Sequence, residues 1–174
     1  MLGLEPAIDE SLFRATMTSL AKCVAVTTAL GPDGPVGCTT TSLMSLSVDP
    51  PSVLLAFRCG SRTLESLLAA GRFAVNVLAH EQEQLVRRFA TGAPADRFRD
   101  TAHTLPHGVP VLDGAAVAMT CDVARSFAAV DHVLVVGTVR HLRSSPAEPL
   151  VLVGGQPHTV APALPVVATA DDPC

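Results

Sequence analysis

The residues best suited to chemistry fall in three short stretches. The densest is Gly37-Cys38-Thr39-Thr40-Thr41-Ser42, continued by Ser45 and Ser47 and closed by Asp49-Pro50-Pro51. Small hydroxyls and the N–H groups between them can satisfy oxygens and ring nitrogens along the edge of a polar, planar or phosphorylated ligand. Thr and Ser also suit an edge strand on packing grounds alone, and the residues by themselves leave both readings open. The second stretch is Ser61-Arg62-Thr63, just ahead of an apolar periodic segment. A helix starting there would offer free N–H groups, the positive end of its dipole and a guanidinium fork, which together suit a phosphate. An ordinary Ser cap followed by a solvated Arg fits the same residues. The third stretch is Asp131-His132. An imidazole there can orient a polar group or hold a proton near neutral pH, or it can cap a strand and bond the neighbouring carboxylate.

Other patterns carry less. His103 and His107 are four apart, but Pro106 between them breaks the helix that would put both on one face, so no metal pair is expected. Cys38 reads as a small buried hydrophobe rather than a nucleophile. The chain contains no GxSxG, no P-loop and no GxGxxG. Any dinucleotide it uses is therefore expected to be a transient substrate and not one held in a Rossmann crevice.

These stretches need elements to hold them. Asp9 is a candidate N-cap for a helix on which Leu12, Phe13, Thr16, Met17 and Leu20 share a face. Residues 23–29 and 36–41 read as strands joined by Gly31-Pro32-Asp33-Gly34-Pro35, where Pro sets φ early and Gly supplies a positive φ late. The hydroxyl run continues as a bent strand, and Pro50-Pro51 belongs at an edge or a strand start. Residues 52–57 are a buried strand and 58–61 a loop. Residues 62–70 form a helix with Leu64, Leu67 and Leu68 inward and Gly71 as its stop. A strand over 73–78 precedes a helix over 81–91, with Leu85, Val86 and Phe89 inward and Arg87 and Arg88 late, as the helix dipole favours. Residues 92–110 read as a loop, 115–125 and 133–142 as two long strands, and 150–153 as a last short one. Seven or eight strands that do not alternate with the three short helices disfavour a doubly wound sheet. They favour a mostly antiparallel closed barrel with helices over its ends.

The chain has 174 residues, enough for one domain with a real core. That domain is expected over residues 1–160, with an unstructured lead at 1–8 and a disordered Pro- and Ala-rich tail over 161–174. Apolar residues make up 48%, with six Phe and neither Trp nor Tyr, so a planar ligand would rest mainly on backbone, aliphatic and hydroxyl groups. A net charge of −4 without a basic stripe argues against nucleic acid. Five cysteines (Cys23, Cys38, Cys59, Cys121 and Cys174) without CxxC spacing suit a reduced, cytoplasmic protein. No secretory signal is recognisable, and no apolar run is long enough to span a bilayer.

In sequence order the motifs resemble those of the flavin reductase-like proteins, the reductase partners of two-component flavin monooxygenases. The resemblance runs from about Phe13 to His158. It rests on the run from Gly37 through Asp49-Pro50-Pro51, on Ser61-Arg62-Thr63, on Phe73-Ala74-Val75-Asn76-Val77-Leu78, and on Phe89-Ala90 and Asp96-Arg97-Phe98. It continues through Gly108-Val109-Pro110-Val111-Leu112-Asp113-Gly114, Cys121, Asp131-His132 and Pro149-Leu150. Two positions depart from the family pattern: Val130 stands where a Gly usually precedes the Asp-His pair, and Pro157-His158 stands where an aromatic is common.

The resemblance implies a mostly β fold, the FMN-binding split barrel with a few short helices. It implies FMN or FAD as the flavin, NADH or NADPH as reductant, no metal, a homodimer and a monooxygenase that receives the reduced flavin. It places Thr39, Thr40, Thr41 and Ser42 along the flavin ring and ribityl chain and Ser61, Arg62 and Thr63 toward its phosphate, and it counts Cys59 among the flavin-binding residues. Arg97 and Phe98 would close the flavin's other side, and His132 and His158 would serve the nicotinamide. Two other functions are compatible with the same residues: a split-barrel oxidoreductase that keeps its flavin and acts on an organic substrate, and a flavin- or haem-binding module without turnover.

Overall fold

The computed structural model describes residues 8–160. The expected tail over 161–174 and all but the last residue of the expected lead lie outside the described residues.

Helix α1 (Glu10–Ser19) begins where Asp9 accepts from the N–H groups of Ser11 and Leu12. None of its residues is buried, so the apolar face of Leu12, Phe13 and Met17 lies in solvent on the single chain. After β1 (Lys22–Cys23), strands β2 (Ala25–Gly31) and β3 (Gly34–Thr40) form the expected hairpin, with Gly34 at φ 125°. Strands β4 (Met44–Val48) and β5 (Pro51–Arg58) form a second, and Pro51 opens β5, where its missing N–H does no harm. Helix α2 (Arg62–Ala70) has both expected ends: the Ser61 hydroxyl accepts from Leu64 N–H, and Gly71 sits in the left-handed region at φ 69°. Its Leu64 and Leu67 are buried, but Leu68 is not. Strand β6 (Arg72–Val77) leads to a 3₁₀ turn, His80–Gln82, and then to α3 (Glu83–Thr91), so the helix expected over 81–91 is split at its start. The expected loop over 92–110 contains two further 3₁₀ turns and β7 (His103–Thr104), which pairs with β8 (Val111–Leu112). Strands β9 (Val117–Ala129) and β10 (His132–Ser144) both run past their expected ends, and β11 (Val151–Val153) is followed by β12 (Gln156–His158).

Seven strands pair antiparallel in the order β3-β2-β6-β9-β10-β5-β4, and β1, β11 and β12 form a small separate sheet. The expected closed barrel is not formed. Strands β3 and β4 are consecutive in the chain yet stand at opposite edges of the sheet, joined by residues 41–43 instead of by a ladder. Ser42 supplies the physical reason. Its hydroxyl donates to Ala56 O and accepts from Ala56 N–H, both at 3.0 Å, so a side chain occupies backbone groups that a ladder would use. The barrel is split at the hydroxyl run.

The inner face carries Ala25, Ala29, Leu55, Phe57, Phe73, Val75 and Val135, packed with Leu64 and Leu67 of α2. Each of those two leucines contributes roughly 1.5–3 kcal/mol by burial. On the outer side, α3 lays Leu85 and Phe89 against Val24, Val26 and Leu112. Gly37 makes that approach possible: a Cβ there would come 3.0 Å from the Phe89 ring and 3.1 Å from Thr28 Cγ2. Further along the outer face, Val109 and Val111 cover Ala74 and Ala118. Asn76, wholly buried, pins this covering segment. Its side-chain N–H groups donate to Val26 O and Thr28 Oγ1, and its Oδ1 accepts from Leu112 N–H.

Candidate functional site

A groove follows the split. It has two connected lobes, of about 330 and 360 Å³, that share Cys38 and Ser61. The first is lined by Cys38, Thr39, Thr40, Thr41, Ser42, Ala56, Phe57, Arg58 and His132. The second is lined by Val36, Gly37, Arg62, Thr63, Ala90, Pro94 and Arg97. The structure thus gathers the end of β3, the start of α2, the loop after α3 and the first residue of β10 around one space. Each lobe is within the size range of small-molecule sites.

The hydroxyl run serves this groove differently from the way its side chains suggest. Thr39 Oγ1 donates to Val86 O of α3 at 2.7 Å, Thr40 Oγ1 bonds Thr27 Oγ1 at 2.9 Å, and Ser42 is bound to Ala56. Only Thr41 of the four has no side-chain partner among the described residues. The three pinned hydroxyls anchor the strand end to α3, β2 and β5. The N–H groups of Thr41, Ser42 and Leu43, outside any strand, make no backbone hydrogen bond among the described residues. The side chains of Thr39, Thr40 and Ser42 are thus structural, and the backbone they fix lines the groove.

At the other lobe the first turn of α2 presents the N–H groups of Arg62 and Thr63, which no carbonyl of a helix's own first turn can satisfy. The next donor, Leu64 N–H, is already held by Ser61 Oγ at 3.4 Å. Exposed Arg62 adds charge at this end. Arg97 sits across the lobe and holds its wall, donating from Nη1 to Gly37 O at 2.7 Å and from Nε to Gly92 O at 3.1 Å. Between the lobes, burial pushes the Cys38 thiol up, against smaller opposing effects of hydrogen bonds from Thr63 and Thr40 and the charge of Arg97. A neutral, unreactive sulfur at the groove floor follows.

His132 opens β10 as the cross-strand neighbour of Arg58 and Ala129. Its Nδ1 lies 2.7 Å from Asp131 Oδ1. The His132 hydrogen bond, followed by its charge, holds the Asp131 carboxyl below the usual carboxylate value. An ionised carboxylate can only accept, so Nδ1 carries the proton and Nε2 is the ring nitrogen left for other partners. The turn before it, Val130-Asp131, joins β9 to β10 in two residues with Val130 at φ 58°. That angle accounts for a Gly at this position in the family pattern, since a two-residue hairpin with positive φ at its first central position favours Gly. Cys59 N–H donates to Asp131 O at 3.0 Å and ties the turn to the loop before α2.

Three expected residues are not brought to the groove lining. Cys59 is exposed, and only its backbone contributes, through that tie. Phe98 packs edge-on against Phe89, with ring centroids 5.1 Å apart, and so supports the segment carrying Arg97. His158 is exposed on β12 of the small sheet. Conversely, Ala56, Phe57 and Arg58 line the groove without having been singled out in the sequence. Arg58 had a readable signal, a cation ending an apolar strand three residues ahead of Ser61.

A flavin fits this set of donors: orphan N–H groups at 41–43 for the oxygens and nitrogens of its ring edge, and a helix start with Arg62 for its phosphate. The comparisons agree. The flavin reductase-like domain matches residues 17–161. A flavin reductase (NADH) of Kitasatospora aureofaciens is 42% identical over 144 residues, covering 79% of this chain and 74% of that protein. The reductase subunit of a flavin-dependent monooxygenase of Mycobacterium tuberculosis is 33% identical over 141 residues, 80% of this chain and 75% of its own. The solved NADH:FAD oxidoreductase of Streptomyces globisporus, in complex with NAD and FAD fragments, superposes with a TM-score of 0.83 at 30% identity, covering 91% of this chain and 96% of its own. With a split barrel, a groove of matching chemistry and a family match over most of its length, the chain belongs to the flavin reductase-like family.

Proposed function

We propose that this protein is an NADH-dependent flavin reductase that releases reduced flavin to a separate monooxygenase. The observation that carries the reading is the convergence, in one groove, of Thr41 and Ser42 with their unpaired N–H groups, the start of α2 with Arg62, and His132. When bound, flavin supplies N5 as the acceptor of the hydride from nicotinamide C4. The chain's own residues supply position and charge. The N–H groups of 41–43 are held by Thr39, Thr40 and Ser42 at no reorganisation cost, and donors fixed in that way favour the negative charge that builds up on reduction. The α2 start with Arg62 anchors the phosphate and so fixes the ring's register along the groove. His132, its tautomer set by Asp131, offers Nε2 to orient the nicotinamide carboxamide or hold the balancing proton.

The working unit we propose is a homodimer in the cytoplasm. In support, Met44 of β4, Leu54 of β5, Leu134 and Val136 of β10 and Phe127 of β9 stand in register on the outer face, with Met44 52% and Phe127 50% exposed. The apolar face of α1 is also uncovered. Cys23, Cys38, Cys59 and Cys121 are all free thiols, which suits a reducing compartment. No described helix is long and apolar enough to cross a membrane.

Purified protein mixed with NADH and either FMN or FAD is expected to consume the nicotinamide absorbance, and the protein alone is expected to be colourless. A yellow preparation that oxidises no NADH with either flavin would overturn the reading. Light scattering giving the mass of one chain would overturn the dimer.

A further inference from the structure

A second cavity, of about 350 Å³, lies on the outer face of the sheet and shares no lining residue with the groove. Its floor is Thr120 of β9 and its roof is the segment carrying His107 and Val109. The bulge at Val139/His141 in the β9–β10 ladder turns the direction of β10 here, so that Arg140 and His141 both line the same space. His107, held at φ 55°, lays its ring flat on His141, with centroids 3.7 Å apart and planes 2° from parallel. Arg72 Nη1 donates to His107 O at 3.1 Å, and Arg140 Nε donates to Asp122 Oδ2 at 2.7 Å, which leaves further donors on both guanidinium groups. A neighbouring cavity of about 240 Å³ shares His107, Thr120 and His141 and adds Arg143. Asp122 is the one carboxylate in either lining.

Thr120 supplies the observation that points to a ligand. Its residue is 8% exposed, and its Oγ1 is buried without a hydrogen-bond partner among the described residues. A buried hydroxyl is normally satisfied. The residue that carries it lines a cavity rimmed by two guanidinium groups and two imidazoles, all able to donate. Donors in excess of acceptors, cationic charge in excess of anionic, and a backbone held in an uncommon conformation to place one of the donors together describe a receptor for an oxyanion.

We propose that this cavity binds a phosphate group, free or as a monoester, as a second site separate from the flavin groove. The hydroxyl of Thr120 donates to it from below, and Arg72, Arg140, His107 and His141 close round it from the rim.

The test is a titration of the full-length protein with inorganic phosphate and, separately, with AMP, followed by amide and imidazole NMR shifts. Saturable shifts at residues 107, 120 and 141 are expected. Thr120→Val should weaken binding about tenfold, the loss of one hydrogen bond to an anion. It should melt no lower than the parent, because the hydroxyl it removes has no partner in the protein. Arg140→Gln should weaken binding about tenfold, the loss of a charge-assisted bond. AMP binding more tightly than inorganic phosphate assigns the site to a phosphate ester, and equal affinities assign it to free phosphate. Absence of saturable shifts at these three residues, or affinity unchanged by both substitutions, overturns the proposal.

Discussion

Val130→Gly is expected to make the protein more stable, although it removes three carbon atoms and restores flexibility. Val130 is 104% exposed and packs on nothing, so no burial is lost. Its φ of 58° places a β-branched residue where L-residues are disfavoured by roughly 1–2 kcal/mol. Glycine escapes that cost but gives back about 0.4–1 kcal/mol through the greater freedom of the unfolded chain. The balance is a gain of about 0.5–1 kcal/mol, using the same two estimates. For a domain of this size each kcal/mol moves Tm by about 2–4 °C, so a rise of about 1–4 °C is expected by differential scanning calorimetry. Val130→Ala is the control, since it keeps a Cβ in the unfavourable region and should recover less than Gly does. NADH turnover should be unchanged, because the Cys59–Asp131 backbone bond and the β9–β10 ladder fix the turn without help from residue 130. A Gly variant that melts at or below the parent would refute the reasoning: the turn would then not be strained, and the departure at residue 130 would need another cause.

Other outcomes follow from the same geometry. Asn76→Ala leaves Leu112 N–H and Val26 O without their buried partner and should cost at least about 2 kcal/mol. This would be read as a lower urea midpoint at unchanged m, and a loss below half of that would mean the covering segment is held by other contacts. Asp131→Asn tests the pH linkage. A carboxylate whose folded pKa is depressed adds stability above its ordinary value of 3.8, and the addition fades as pH falls through the lower folded value. The gap between parent and variant should therefore be flat at neutral pH, close in strong acid and shrink with salt, because the pair is exposed; a gap that persists at the acid end contradicts this. Alkylation at pH 8 should reach exposed Cys59 first and Cys38 slowly, and should spare Cys121, whose thiol burial pushes up to about 12. Added FMN should protect Cys38, and labelling of Cys38 indifferent to flavin would place the flavin elsewhere.

The sequence made legible what is decided locally. The β2–β3 turn, Ser61 and Gly71 at the ends of α2, and Asp9 ahead of α1 all depend on residues within a few positions of one another, and each stands where expected. The β9–β10 hairpin did not show its length, because its turn is Val-Asp and lacks the Gly or Asn that marks two-residue hairpins. The hairpin of β11 and β12 carries such a mark in Gly154-Gly155, but strands of three residues give too little periodicity to confirm it. Helix α1 shows the opposite limit. Its face is apolar and periodic, but periodicity says only that a face wants cover, not which surface provides it.

The groove was legible as a place and not as a division of labour. Residue types at 37–42 pointed to the stretch that lines the groove, yet hydroxyl side chains and backbone amides in one stretch compete for the same partners, and composition cannot say which of them face outward. The sheet decides. Because β3 and β4 are consecutive strands at opposite edges, residues 41–43 must cross the split with no ladder to satisfy them. Thr39, Thr40 and Ser42 absorb that irregularity by bonding α3, β2 and β5, and the amides of 41–43 are the donors left over. A barrel closed by hydrogen bonds at this point would have no such donors to offer. The defect in the sheet and the unpaired donors along the groove thus have one structural origin, and substituting Ser42 should, on the proposed reading, loosen the split and weaken flavin binding together.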